Sequence, residues 1–192
     1  MRVALAAGLL GLAACGSGTI AFEARVSDLR KPGNALLRGK EPEDSVRVTA
    51  PGKMLDAGVA LAKVTRASAK WGTPEEAVAS VISANVAGDL PWIVQNYVAA
   101  ERPEAGRQLM EPMAAARTRA FYMNLGTVKR TGWADLEDKR VMFLRGEEGD
   151  GDSSVVTVVL AKTREGWRQT IGLNRDDRYD VIVAALHRGG VH

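Results

Sequence analysis

The chain is 192 residues long, 46% hydrophobic and 26% charged, and its 26 lysines and arginines against 23 aspartates and glutamates leave a net charge of +3. Such a length and composition suit one globular domain with an N-terminal extension; they exclude a disordered chain and one built of membrane-spanning helices. So small a positive excess does not point to nucleic acid.

The first stretch, Val3 to Ala14, is apolar and small, follows the single basic residue Arg2, and ends at Cys15. It falls short of the roughly 20 residues that a bilayer core requires. A positive start, a short apolar run and small residues before a cut site describe a secretory signal. Leu12-Ala13-Ala14-Cys15 sharpens this, because it resembles the lipobox of bacterial lipoproteins. The resemblance implies cleavage between Ala14 and Cys15, attachment of diacylglycerol to the Cys15 thiol, and acylation of the new amino terminus. Small residues at 13 and 14 suit a narrow protease groove, and a thiolate is the nucleophile that lipid transfer needs. Several acyl chains, each contributing about 0.8 kcal/mol per buried methylene, make a stable anchor. The competing reading is an ordinary signal peptide cut nearby, leaving a free thiol. The expected location is the cell envelope, membrane-anchored and facing the periplasm or exterior. Gly16, where an aspartate would retain the protein, suggests the outer membrane if the host has one. Cys15 is the only cysteine, so no disulfide can form within the chain.

Residues 16–52 are dominated by Gly, Ser, Pro and charge, as in Arg30-Lys31-Pro32-Gly33 and Gly39-Lys40-Glu41-Pro42-Glu43-Asp44. They read as a tether, which as a flexible chain would set the domain roughly 30–35 Å from the anchor. Two short β-like runs, Ile20 to Val26 and Val46 to Thr49, are candidates to pair with the main body. Gly33 to Lys40 misses the phosphate-binding loop by one residue of spacing, and Glu41 stands where a Ser or Thr is needed.

From Lys53 the spacing of Met54, Leu55, Val59 and Ala62 predicts a helix to about Lys70. Thr73-Pro74-Glu75-Glu76 is a capping box with proline at the first helical position, opening a helix with the stripe Ala77, Val78, Val81, Ile82 and Val86. Gly88 ends it and Asp89 caps the next, whose buried face is Trp92, Ile93, Val94, Tyr97 and Val98. A third helical region, from about Glu104 to Tyr122, restarts at Pro112; its expected core contacts are Leu109, Met113, Ala116, Ala120 and Phe121. The period then changes to that of strands: Thr127 to Trp133, Arg140 to Arg145, Ser153 to Lys162, and Trp167 to Leu173. Short acidic and glycine-rich turns make these antiparallel hairpins. Val155 to Leu160 is apolar on both faces apart from Thr157, which calls for cover on both sides. Asp176 to Arg188, before Gly189-Gly190, is a candidate helix capped at Asp176 or Asp177; it would cover that second face, which otherwise serves as a dimer contact. The expected fold is α+β: N-terminal helices on a curved four-stranded antiparallel sheet, with the C-terminal helix optional. The expected division is a signal peptide at 1–14, a lipid-anchored tether at 15–52, and an α+β domain at 53–192.

Helices opening with Thr73-Pro74-Glu75-Glu76-Ala77, the break Ala87-Gly88-Asp89, and strands closing on Gly166-Trp167-Arg168 resemble the nuclear-transport-factor-2-like superfamily, in particular its small bacterial lipoproteins, over about residues 70–173. The resemblance implies a cone of helices on a curved sheet around a pocket. Enzymes of that family place an Asp, or an Asp with a His, inside the cone. Here no histidine falls in the matched region, Asp135 is the nearest candidate acid, and a turn explains it better; no catalytic residue is transferred.

Other chemistry is thin. His187 and His192 lack the spacing of a zinc pair. Gly-x-Ser-x-Gly is absent. Glu147 to Asp152 alternates carboxylates but lacks the spacing of a calcium loop, so no metal is expected. Trp92, Tyr97, Phe121, Tyr122, Trp133 and Trp167 are the candidate pocket lining, with ordinary core as the competing reading. The basic pairs Arg117/Arg119, Lys129/Arg130 and Lys139/Arg140 either lean on anionic lipid or are solvated. The expectation is a lipid-anchored, non-catalytic binding or assembly protein. Its partners would be membrane lipid through Cys15 and an envelope protein or a second copy, with no cofactor beyond the acyl groups. The alternatives are a small-molecule carrier and an enzyme with a buried carboxylate base.

Overall fold

The computed structural model describes residues 18–29, 33–147 and 153–192. Leu12-Ala13-Ala14-Cys15 lies outside the described residues, as do residues 148–152 of the acidic turn. Alternation sets the sheet from its first edge. β1 (Gly18–Arg25) pairs antiparallel with β2 (Ser45–Ala60), in which Val46, Val48, Ala50 and Gly52 are buried between exposed neighbours. β3 (Val128–Leu136), β4 (Lys139–Glu147), β5 (Ser153–Thr163) and β6 (Gly166–Gln169) follow in spatial order, giving a six-stranded antiparallel sheet in which each strand lies beside its neighbour in sequence. β4 is buried on both faces, with Val141 and Phe143 on one side and Met142 and Leu144 on the other.

Each face has its own cover. Between β2 and β3 the chain forms α1 (Pro74–Ala87), α2 (Leu90–Gln95), α3 (Arg102–Leu109) and α4 (Pro112–Asn124). Ala77, Val78, Val81 and Ile82 of α1 pack on Met142, Leu144, Val158 and Leu160. The opposite face is closed by α5 (Asp177–Arg188), whose Ile182 and Ala185 pack on Phe22, Leu136, Phe143 and Val159. Burial against the sheet, rather than propensity alone, holds helices of this length.

The local signals behave as their chemistry requires. In the capping box the Thr73 hydroxyl accepts from Glu76 N at 3.2 Å while the Glu76 carboxylate accepts from Thr73 N at 3.1 Å. Gly88 closes α1 in the left-handed region, and Asp89 caps α2 by accepting from Trp92 N. Met110 and Glu111 separate α3 from α4 before Pro112. Asp176 caps α5, and Gly189 ends it with φ 77°.

Several expectations are corrected. The sheet has six strands, not four, and five α-helices stand among the described residues; the fold is still α+β. Residues 18–25 and 45–52, expected within the tether, are hydrogen-bonded strands, and the Asn34 turn docks on α5 through Asn34 Nδ2 to Asp177 O at 3.2 Å. The helix expected from Lys53 to Lys70 is instead the second half of β2, paired with β3 from Gly52↔Ala134 to Ala60↔Lys129, then an extended segment and a single 3-10 turn at Arg66–Ser68. Helical spacing over one short apolar run is weak, and cross-strand pairing decides such cases. Gly52 is part of the reason: a Cβ there would meet Trp133 O at 2.4 Å. The last strand stops at Gln169 rather than Leu173; just past it Thr170 N still donates to Val159 O at 3.0 Å, and Thr170 Oγ1 and Ile171 N donate to Glu101 at 2.7 and 2.9 Å. On α4, Met113, Ala116, Ala120 and Phe121 are exposed, Met113 to 68%; Thr118 and Tyr122 turn inward instead.

Candidate functional site

The helices do not enclose an empty cone, because the interior beneath α1 is filled by the sheet's own side chains. What remains is an open cleft of about 380 Å3 at the end of the sheet where β2 finishes and β3 begins. Leu61 and Val64 form one wall, Ile82 and Val86 of α1 the second, and Tyr122 and Leu125 the third. Lys63 and Ser83 add polar groups at its sides, Ser83 Oγ accepting from Val64 N at 3.1 Å. A second hollow, of about 400 Å3, lies across residues 59–64 and borders Glu75, Glu76 and Arg130.

Of the six aromatic candidates, Tyr122 lines the cleft. Burial pushes its hydroxyl pKa up to about 12, so it stays protonated at any physiological pH. Phe121 meets it edge-on at 5.3 Å between ring centroids but is otherwise exposed. Trp133 and Trp167 are half-buried and flank the guanidinium of Arg140, which lies 4.0 and 5.5 Å from their centroids. Trp92 and Tyr97 belong to a separate cluster with Ile93 under α2, and burial raises the Tyr97 pKa. The structure thus divides the six among three places.

Asp135, the nearest candidate acid, is held by Arg140: Nε to Oδ1 at 2.8 Å and NH2 to Oδ2 at 2.9 Å. A carboxylate in a two-pronged pair of this kind has both oxygens engaged by one guanidinium, the opposite of a base left open to a substrate proton. Hydrogen bonding to Asp135, together with its charge and that of Glu75, raises the Arg140 pKa against the effect of burial. Among the other basic candidates, Lys129 pairs with Glu147, Arg130 with Glu75 at 3.1 Å, and Lys139 with Asp138 at 2.6 Å. Arg117 and Arg119 are exposed on α4, with Arg119 lying against the Gly88 end of α1. His187 is in the last turn of α5, whereas His192 pairs through its backbone with Ala21 of β1. Among the described residues no three His, Cys, Asp or Glu side chains gather as a metal set would require.

Sequence reasoning missed a buried polar network. Trp92 Nε1 donates to Ser80 Oγ at 2.9 Å, and Ser80 Oγ and Trp71 Nε1 donate to Asn96 Oδ1 at 2.7 and 2.8 Å. It ties α1, α2 and the segment before α1 together. The legible signal was Ser80, a polar residue among the apolar positions of α1. Nearby, Arg168 is buried with its guanidinium 4.3 Å from the Trp71 ring, and desolvation lowers its pKa.

Fold and cleft together define an α+β domain with helices on both faces of an antiparallel meander and an open apolar cleft at one end. No protein-family model matches the sequence. No curated protein matches it either. Among solved structures it is similar to a Campylobacter jejuni protein described as an NTF2-like transpeptidase, at 13% identity and a TM-score of 0.39, over 50% of this chain and 97% of that one. A SEC-C-motif-containing protein from Rhodopseudomonas palustris matches at 17% identity and a TM-score of 0.36, over 51% and 75% of the two chains. A Xanthomonas campestris protein described as a calcium/calmodulin-dependent protein kinase II association domain matches at 15% identity and a TM-score of 0.26, over 55% and 92%. Overlaps of this size carry no argument about what the chain does. No described helix is long and apolar enough to cross a membrane.

Proposed function

We propose that this chain is a lipid-anchored protein of the cell envelope whose folded part is a non-catalytic binding domain of the nuclear-transport-factor-2-like kind. The observation that carries the reading is Leu12-Ala13-Ala14-Cys15, an apolar run ending in small residues and the single cysteine of the chain. Diacylglycerol on Cys15, cleavage after Ala14 and acylation of the amino terminus supply the anchor. The binding role is supported by the apolar cleft, and the family assignment by the capping box of α1, the break at Gly88-Asp89 and the closing strand at Gly166-Trp167-Arg168. Engagement of Asp135 by Arg140 weighs against the enzyme reading.

The test is metabolic labelling with a fatty acid, followed by membrane fractionation, for the natural chain and for Cys15→Ser. The natural chain should carry label and sediment with membranes, and Cys15→Ser should do neither. A Cys15→Ser protein that still carries lipid would end the proposal. A carrier of small apolar ligands is the second reading, favoured because about 380 Å3 lies within the size range of small-molecule sites. Val86→Trp, at an exposed position on the cleft wall, should abolish uptake of an apolar fluorescent probe if that reading holds, and leave it unchanged if it does not.

A further inference from the structure

Leu61, Val64, Ile82, Val86, Leu125 and Val128 give the cleft of about 380 Å3 an aliphatic lining. The polar side chains that border it are Lys63, Ser83 and Tyr122, each able to donate a hydrogen bond, with no carboxylate, imidazole or side-chain amide among them. We propose that this cleft binds a single-chain fatty carboxylate, its alkyl chain along the aliphatic walls and its head group at Lys63 and Ser83; the proposal rests on the carrier reading above and gives that reading a ligand class.

The donors are open to a ligand. Lys63 is exposed and has no carboxylate in ion-pair contact among the described residues. Ser83 Oγ accepts from Val64 N at 3.1 Å, next to Lys63 in the chain, and its own proton has no acceptor among the described residues. The Tyr122 hydroxyl, on the third wall, stays protonated and so adds a donor rather than a charge. Donors call for acceptors on the ligand, and the single ammonium calls for a single negative charge, as a carboxylate carries. The Glu147 backbone carbonyl accepts from Gly126 N at 2.9 Å beside the cleft, but the Glu147 side chain is engaged by Lys129. Because Lys63 is exposed, the carboxylate keeps part of its hydration and the chain alone is desolvated. An apolar cavity of roughly 150 Å3 holds benzene, so this cleft, at about 380 Å3, has room for a chain of about ten to fifteen carbons. A flat ring fits less well, since Tyr122 is the one aromatic residue in the lining and nothing there would sandwich a second ring against it.

The test is photolabelling of the full chain, purified in one detergent, with a dodecanoate that carries a diazirine at the end of its chain. Adducts should map to residues 82–87 and 122–128, which line the cleft. Dodecanoate should displace the probe roughly tenfold better than dodecanol, the worth of a charged hydrogen bond. Lys63→Gln should remove most of that preference, and Lys63→Arg, which keeps the charge, should retain it. Comparing proteins in the same detergent cancels the partition of the competitors. An absence of adducts in the cleft would defeat the carrier reading and this proposal together. Adducts in the cleft with the same acid-to-alcohol ratio in the natural chain and in Lys63→Gln defeat this proposal alone. Dodecyl phosphate displacing the probe roughly tenfold better than dodecanoate overturns it in favour of a phosphate head group.

Discussion

Asp176 concentrates much of what holds α5 in place. Its carboxylate accepts from Arg178 N at 2.8 Å as the helix cap and from the Arg178 guanidinium, which also reaches Glu137 at 2.7 Å. Hydrogen bonds from the Arg178 side chain, then its backbone and charge, hold the Asp176 carboxyl below its usual value despite burial. A depressed folded pKa means that the stabilisation is fully present above the unfolded value of about 3.9 and is lost as pH falls through the folded one. Asp176→Ala should therefore cost about 1 kcal/mol near neutrality, the usual worth of a cap, and progressively less below pH 4. Thermal melts of the two proteins at pH 7 and pH 3 check this; a difference independent of pH would show that the charge is not involved. Gly166 is another residue whose identity is dictated. Its φ is 97°, and a Cβ would meet Trp71 O at 2.2 Å, where Trp167 N already donates to that carbonyl at 2.7 Å. Gly166→Ala should lower stability by more than the roughly 1 kcal/mol of a strained turn alone, read from urea unfolding.

At the scale of elements, α4 and α5 make a contrast. Ile182 is fully buried between α5 and the sheet, and Ile182→Ala should cost about 2–5 kcal/mol through lost burial and a residual cavity. Met113 points away from the body of the protein, so Met113→Ser should change stability by no more than about 0.5 kcal/mol. Periodicity alone suggested the reverse emphasis: Met113, Ala116, Ala120 and Phe121 as core, and the C-terminal helix as optional. Spacing identifies which residues share a helix face. It does not say whether that face turns to the sheet, and in α4 the short inward side is taken by Thr118 and Tyr122. The signals that did transfer are those closed within one turn of chain. Thr73 with Glu76, Gly88, Asp89 and Pro112 each act on backbone groups next to them, and each marks a helix end in the structure.

For the whole molecule, the largest revision concerns residues 18–52. A tether could be cut out at little cost. These residues instead bring Ile20, Phe22, Ala24, Val46, Val48 and Ala50 into the clusters that α5 completes. Deleting 18–44 should expose those apolar faces and give insoluble protein, as judged by the yield of soluble, monodisperse material; a deletion protein with unchanged melting behaviour would contradict the six-stranded sheet. The same revision leaves Gly16 and Ser17, rather than a long spacer, between Cys15 and the start of β1 in sequence.

The sequence by itself determined the helix ends, the hairpin run from β3 to β6, and the need to cover β5 on both faces. These depend on neighbouring residues, or on composition, and survive without knowledge of the fold. Tertiary structure alone decided that Lys53 to Ala60 is a strand, and that Asp135 is occupied by Arg140. It also dispersed the six aromatic candidates, leaving Tyr122 at the cleft. Each of these outcomes turns on a contact between residues distant in sequence or in separate strands. A short apolar run serves a helix or a strand equally until another strand arrives to pair with it.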